Sequence, residues 1–415
     1  MKTINSFFTL FLLVITCSLT AQPGWTLYNH TNTILGDDYY RTISIDQSGN
    51  IWTGGSYTGL FKFNGTTWSK YSTSNTNLLS DDINKILIDN SNKVWVGNYK
   101  GISVFNGTNF TNYDTTNAAF NGLTVYALRK DNNGKIWLSS RNASFGYEGI
   151  TTFDGTTWTN LSGYPSQTIG REFKDFVFTA SNEAWIACEV GILKYSGSTF
   201  TFYPKASTGL WSSTAVTIDG SANIWAGGYD GLLKYNGSTW KYFDNVADLG
   251  LTSNSPYNDI LADGNILWIA NYGGLLKFDR ITGEILAKYN ETNSPLSANG
   301  VKQIAKDASG NLWLATNTGI IKMNPALVGV GVGEQNNKKQ FSIYPNPSTG
   351  IYNISFEGQE NISYKIYSTN GKIISEGTTI SNNFQVSLVD VPSGVYFMHV
   401  ISNNFVNKVV KLVKN

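Results

Sequence analysis

The chain has 415 residues, room for two or three domains and a sizeable core. Lysine and arginine (30) almost balance aspartate and glutamate (29), so it offers neither the basic footprint that nucleic acid requires nor an acidic tail. Only 14% of residues are charged and 41 are glycine, beside abundant aromatic, serine, threonine and asparagine residues, which favours strands and tight turns and predicts an all-β fold.

The first residues, "MKTINSFFTLFLLVITCSLTAQ", combine Lys2, an apolar run from Phe7 to Leu19 and a small residue at Ala21. This pattern predicts a secretory signal peptide over residues 1–21, cut before Gln22. Lipidation at Cys17 is the alternative, and Thr16 before it is a poor fit. No other apolar run reaches the roughly 18 residues that span a bilayer, so no transmembrane anchor is expected. Loss of Cys17 with the signal leaves Cys188 as the remaining cysteine, which excludes an intramolecular disulfide. Cys188 follows Trp185 within a strand pattern and reads as a buried, inert thiol.

From here the chain repeats. Tryptophans at 52, 95, 137, 185, 225, 268 and 313 share one context, as in "NIWTGG", "KVWVGN" and "NIWAGG", at spacings of 43, 42, 48, 40, 43 and 45 residues. That period belongs to propeller blades of four strands. Each unit opens with a strand closed by Asp46, Asp89, Asp131, Asp219, Asp263 or Asp307, with Thr179 in the fourth. A turn leads to the tryptophan strand, and a second turn ends on glycine and opens a strand such as "LLKY". A hairpin such as Asn64-Gly65, residues that accept positive φ, leads to an outer strand such as "TWSKY". The aspartates stand where a carboxylate caps turn N–H groups, and no D-x-D-x-D-G calcium loop occurs. The seventh unit stops at Pro325 without an outer strand, whereas "GWTLY" near the start carries Trp25 and Tyr28, which match Trp68 and Tyr71. The prediction is a seven-bladed β-propeller over residues 22–326 closed by its N-terminal strand, which removes an aggregation-prone edge.

The "D-x-x-G-N-I-W-x-G…G-L-x-K-Y" units resemble the two-component regulator propeller repeats, best known from periplasmic sensor domains of hybrid histidine kinases. The resemblance implies the propeller fold. It departs in having no membrane helix and no kinase behind it, so a signalling role does not carry over.

Residues 327–340 lose the repeat and read as a linker. Residues 341–415 alternate apolar and polar positions between turn signals, which predicts about seven short strands in a small β-sandwich. This module resembles the C-terminal sorting domain of type IX secretion cargo in Bacteroidetes. The matching residues are Tyr344-Pro345-Asn346-Pro347 with Gly350, Tyr367 with Asn370-Gly371-Lys372, Gly394-Val395-Tyr396, and Lys408, Lys411 and Lys414. The resemblance implies type IX machinery and its sortase as partners, and a product released or attached at the outer cell surface.

Two histidines, His30 and His399, leave no Ser/His/Asp triad or His/Cys zinc site legible, and no cofactor is expected. Propeller lyases similar to the streptogramin lyase depend on histidines, which disfavours that route. Binding candidates come from topology. Two positions before the repeat glycine stand Tyr57, Tyr99, Tyr147, Glu189, Tyr229, Tyr272 and Asn317, so five tyrosines would ring one face, where their rings suit sugars or aromatic side chains. Five positions before the strand-closing residue stand Arg41, Asn84, Tyr126, Lys174, Thr214, Asn258 and Lys302, which would edge the central channel with three positive charges suited to an anion. Trp211 breaks the repeat and reads as a surface aromatic, and an insertion in unit three places Arg141, Phe145, Tyr147 and Glu148 on the same face. The sequence therefore predicts a secreted or surface recognition module for a glycan or protein. The alternatives are a polysaccharide lyase or hydrolase using Tyr126, Arg41, Lys174 or Glu189, and a structural or adhesive surface protein.

Overall fold

The computed structural model describes residues 23–328 and 341–415, apart from 37–38, 121, 142–147, 252–254, 298–299, 357–361, 370, 382 and 403–404. The expected signal peptide and most of the expected linker lie outside the described residues. Among the described residues helix is confined to two short turns, Ser166–Thr168 and Lys205–Thr208, and the strand ladders are antiparallel.

Between Trp25 and Met323 the strands form seven four-stranded sheets, here blades 1 to 7 in the order of their inner strands: Tyr40–Ile45, Ile83–Ile88, Thr124–Lys130, Phe173–Phe178, Ala215–Ile218, Tyr257–Asp263 and Val301–Lys306. Each inner strand contacts the next, and that of blade 7 contacts that of blade 1. The last sheet takes its outer strand from the start of the chain. Trp25–Tyr28 pairs with Gly319–Met323 in the register Trp25↔Met323 to Tyr28↔Ile320.

The repeated tryptophan explains why the sheets pack as a ring. Trp52 is buried among Ile83, Ile86, Val94 and Phe105 of the following blade, and Trp313 among Tyr40, Ile43 and Ile51 of blade 1. Its two faces are covered within its own blade. Over Trp52 lie the Lys62 ammonium, 5.2 Å from the ring centroid, and Tyr71, stacked at 5.8 Å. Blade 7 repeats this with Lys322 at 5.3 Å and Tyr28 at 5.7 Å, so the borrowed strand supplies the aromatic cover that Tyr71 gives in blade 1.

The aspartates are held by geometry that the tryptophan shares. Asp46 Oδ1 accepts from the N–H groups of Ser48 and Asn50, and its Oδ2 accepts from Trp52 Nε1 at 2.9 Å. Asp89, Asp131, Asp219 and Asp307 bond their tryptophans six residues on in the same way. Blade 6 departs, because Asp263 precedes Trp268 by five residues. Its carboxylate pairs with Lys306 and Trp268 Nε1 is buried without a partner among the described residues.

The C-terminal module has a three-stranded sheet (Phe341–Tyr344, Ile351–Phe356, Asn383–Ser387) and a four-stranded sheet (Ile362–Ser368, Ile373–Thr379, Gly394–Ser402, Phe405–Lys414). Tyr352, Ile354 and Val386 of the first share one core with Ile366, Tyr396 and Met398 of the second. Asn346 clamps the terminal strand by donating to Lys411 O and accepting from Val413 N–H at 2.8 Å.

Candidate functional site

A bulge in the inner strands shapes one mouth of the ring. In six blades the ladder to the second strand skips one residue: Arg41, Asn84, Tyr126, Lys174, Asn258 and Lys302. A bulged residue is left out of the pairing and its side chain is re-aimed, which is why this column differs from the apolar positions around it. Several of these side chains reach the next blade. Asn84 Nδ2 donates to Val125 O at 3.1 Å, Asn258 Nδ2 to Val301 O at 2.7 Å, and Thr214 Oγ1, the equivalent residue of blade 5, to Tyr257 O.

The three expected cations are unequal. Arg41 donates to Asp82 Oδ1 at 2.5 Å and Asn84 Oδ1 at 2.9 Å, so its charge is largely answered. Lys174 pairs with Glu172, which also meets Arg141 at 3.4 Å. Lys302 has no carboxylate partner among the described residues. Its ammonium lies 4.1 Å from the Tyr272 ring centroid and 5.7 Å from that of Tyr39. Burial, and then repulsion from Arg41, hold it below the ordinary lysine range. Of the three expected cations, two are thus answered by carboxylates and Lys302 is not.

These cations meet the tyrosines of the neighbouring turns. Arg41 lies 5.6 Å from the Tyr39 ring and 5.8 Å from that of Tyr99, so Tyr272, Lys302, Tyr39, Arg41 and Tyr99 form one chain of contacts across blades 6, 7, 1 and 2. Tyr39, Tyr99 and Tyr272 all remain exposed. Lys174 lies 5.6 Å from the Tyr126 ring in a smaller pair of the same kind. Tyr57 is 81% exposed and its backbone sits at φ 56°, a region that side chains larger than glycine seldom occupy. Glu189 is exposed and its carboxylate bonds to no described residue. Tyr147 and Phe145 lie outside the described residues, as does the side chain of Glu148.

A second exposed patch lies on blades 4 and 5. Trp211 is 65% exposed, with the Lys205 ammonium 4.6 Å from its ring centroid, and its backbone N–H donates to Asp230 Oδ1 at 3.4 Å. Tyr229, also exposed, precedes Asp230. Gly228 permits this arrangement, since a Cβ there would lie 1.8 Å from Ser212 O. Gly55 does the same for Tyr39, whose carbonyl oxygen would lie 1.8 Å from such a Cβ. Sequence reasoning missed Tyr39 and Lys205. The signal for Tyr39 was the pair of glycines at 54–55, the second of which admits the backbone that carries it.

Among the described residues no three His, Cys, Asp or Glu side chains gather as a metal site, and no helix is long and apolar enough to cross a membrane. His30 is exposed near the N-terminus, and His399 lies in the C-terminal module with its pKa lowered by burial.

With the geometry in hand, residues 342–415 match the secretion system C-terminal sorting domain family, and residues 295–318 match the two component regulator propeller family. The C-terminal module is a type IX sorting domain. The sorting domain directs export to the cell surface or the medium, so this chain is an exported propeller. PorZ, an essential bacterial surface component of the type-IX secretion system of Porphyromonas gingivalis, is similar with TM-score 0.61 at 19% identity, covering 92% of this chain and 60% of that one. The extracellular domain of a putative hybrid two component system from B. thetaiotaomicron gives 0.61 at 15%, over 94% and 59%. This chain therefore spans about 60% of the length of either structure. Virginiamycin B lyase from Staphylococcus aureus, solved in a catalytically inactive form with quinupristin, gives 0.57 at 15%, over 73% of this chain and 99% of that one. At these identities the likeness is one of fold. No curated protein matches significantly.

Proposed function

We propose that the exported propeller is a non-catalytic recognition module, secreted or held at the cell surface, that binds a glycan or a protein through its tyrosine-bearing face. The observation that carries this reading is the continuous run Tyr272, Lys302, Tyr39, Arg41 and Tyr99, in which exposed rings alternate with cations at one mouth of the ring. Aromatic rings present a flat apolar surface with a polar tip, and the face of such a ring is already engaged by a cation where a ligand's hydroxyl or acidic groups would add further contacts. Trp211 and Tyr229 extend the same chemistry to blades 4 and 5. Tyr57, Tyr126, Lys174 and Glu189 complete the proposed face, and Tyr147 belongs to it by its place in the repeat.

The test is a glycan array and a surface-protein pull-down with the full exported chain, alongside Tyr272→Ala and Tyr99→Ala. Binding that falls at least tenfold in both variants is the expected result. No binding to any glycan or protein would overturn the reading, and unsaturated or reducing-end products released from a polysaccharide would replace it with the lyase or hydrolase alternative. We also propose that residues 1–21 are removed as a signal peptide and that residues 22–326 are the recognition unit. Deleting residues 341–415 should strand the protein in the periplasm, and unchanged secretion would refute that route.

A further inference from the structure

The ring axis carries a second feature that the tyrosine face does not use. A cavity of about 400 Å³ lies there, lined by the inner strands of blades 3 to 7. Lys130 and Asn132 stand at the strand ends, Val177 and Ile304 form part of the wall, and Arg129 and Gln303 contribute polar groups.

Counting hydrogen-bonding groups shows what this cavity lacks. Arg129 gives Nη2 to Asp175, 2.9 Å from Oδ1 and 3.1 Å from Oδ2. Its Nη1 and Nε bond to no described residue, and its side chain keeps 28% of its surface accessible. Gln303 Oε1 accepts from Ile43 N–H at 3.0 Å, and its amide NH₂ has no partner among the described residues. Each oxygen of Asp259 accepts one backbone N–H, from Ile260 at 3.0 Å and from Ile304 at 2.9 Å. The cavity therefore has donors to spare while its carboxylates are engaged. These donors face the cavity, and an unpaired guanidinium N–H makes a charge-assisted bond to a carboxylate stronger than a neutral one.

We propose that this cavity is a binding site for a small organic carboxylate, held by the remaining N–H groups of Arg129 and the Gln303 amide with its hydrocarbon part against Val177 and Ile304. The volume is at the low end of ligand pockets, which run from about 300 to 1,000 Å³, so it takes an acid of a few carbons and excludes a polysaccharide. The site is independent of the tyrosine face, which lies at the bulged ends of the same inner strands.

Isothermal titration calorimetry of the full exported chain with succinate tests it, with inorganic phosphate and glycerol as comparison solutes. Saturable binding of one succinate per chain is expected, weakened at least tenfold in Gln303→Glu. That substitution keeps an acceptor for Ile43 N–H and replaces the donor with a like charge. Val177→Phe, which narrows the cavity without touching the polar groups, should weaken binding as much and serves where Gln303→Glu fails to fold. Phosphate binding more tightly than succinate would overturn the carboxylate assignment. No heat beyond that of glycerol, or equal affinity in wild type and both variants, would overturn the site.

Discussion

Asp219 concentrates the chemistry of the repeat in one side chain. It accepts from the N–H groups of Ser221 and Asn223, from Trp225 Nε1 at 2.9 Å and from Arg280 Nη1 at 3.2 Å, with its side chain fully buried. Asp219→Ala leaves the indole N–H unanswered and takes the carboxylate from Arg280, which keeps Gly264 O, Ser221 Oγ and Asn265 Oδ1, and should cost about 2–3 kcal/mol, read as a lowered midpoint in denaturant unfolding followed by tryptophan fluorescence. The same carboxylates make stability depend on pH. Burial alone would push Asp46, Asp219 and Asp307 up, but bonds from the tryptophan, the asparagine four residues on and the turn N–H groups outweigh it and hold all three below the ordinary carboxylate value. A group held below its unfolded value stabilises the fold above that value, near pH 4, and loses the contribution as pH falls further. The unfolding midpoint should therefore decline below about pH 4, and decline less in the triple variant Asp46→Asn, Asp219→Asn, Asp307→Asn. The capping role was legible from turn position. The indole bond was present in the sequence as the six-residue spacing from aspartate to tryptophan, and blade 6, with a spacing of five, shows that the spacing decides it.

The strand Trp25–Tyr28 is the element on which the ring depends. Trp25 is buried among Trp268, Leu275, Val301 and Met323, and Tyr28 covers Trp313. Trp25→Ala should destabilise the propeller by about 3–5 kcal/mol, and limited proteolysis should then cut within blade 7 before the other blades. This pairing was readable in advance, because the incomplete last unit and the stray "GWTLY" fit one another. The bulged column was located in the sequence but not understood as a bulge. Period-two alternation alone does not reveal a skipped residue, so the reach of Asn84 and Asn258 into the next blade came only with the strand register.

At the scale of the molecule, the propeller and the sorting domain have separate apolar cores. Calorimetry of the exported chain should show two transitions, and deleting residues 341–415 should remove one while leaving the other within about 2 °C, the effect of a change of about 1 kcal/mol in a domain of this size. The fold was legible because each tryptophan plugs the next blade, a rule that repeats down the chain. The site was only half legible. The tyrosines and bulged cations stand in separate columns of the sequence, and Lys302 meets Tyr39 only where the two ends of the array are brought together.

That junction also orders events in time. The partner of the first described strand is made last in the propeller, so a ribosome must complete Gly319–Met323 before Trp25 has anywhere to go. The sorting domain follows that strand in the chain. A truncated product therefore lacks its address whenever it lacks its clasp, and every chain that carries the address also carries the means to close.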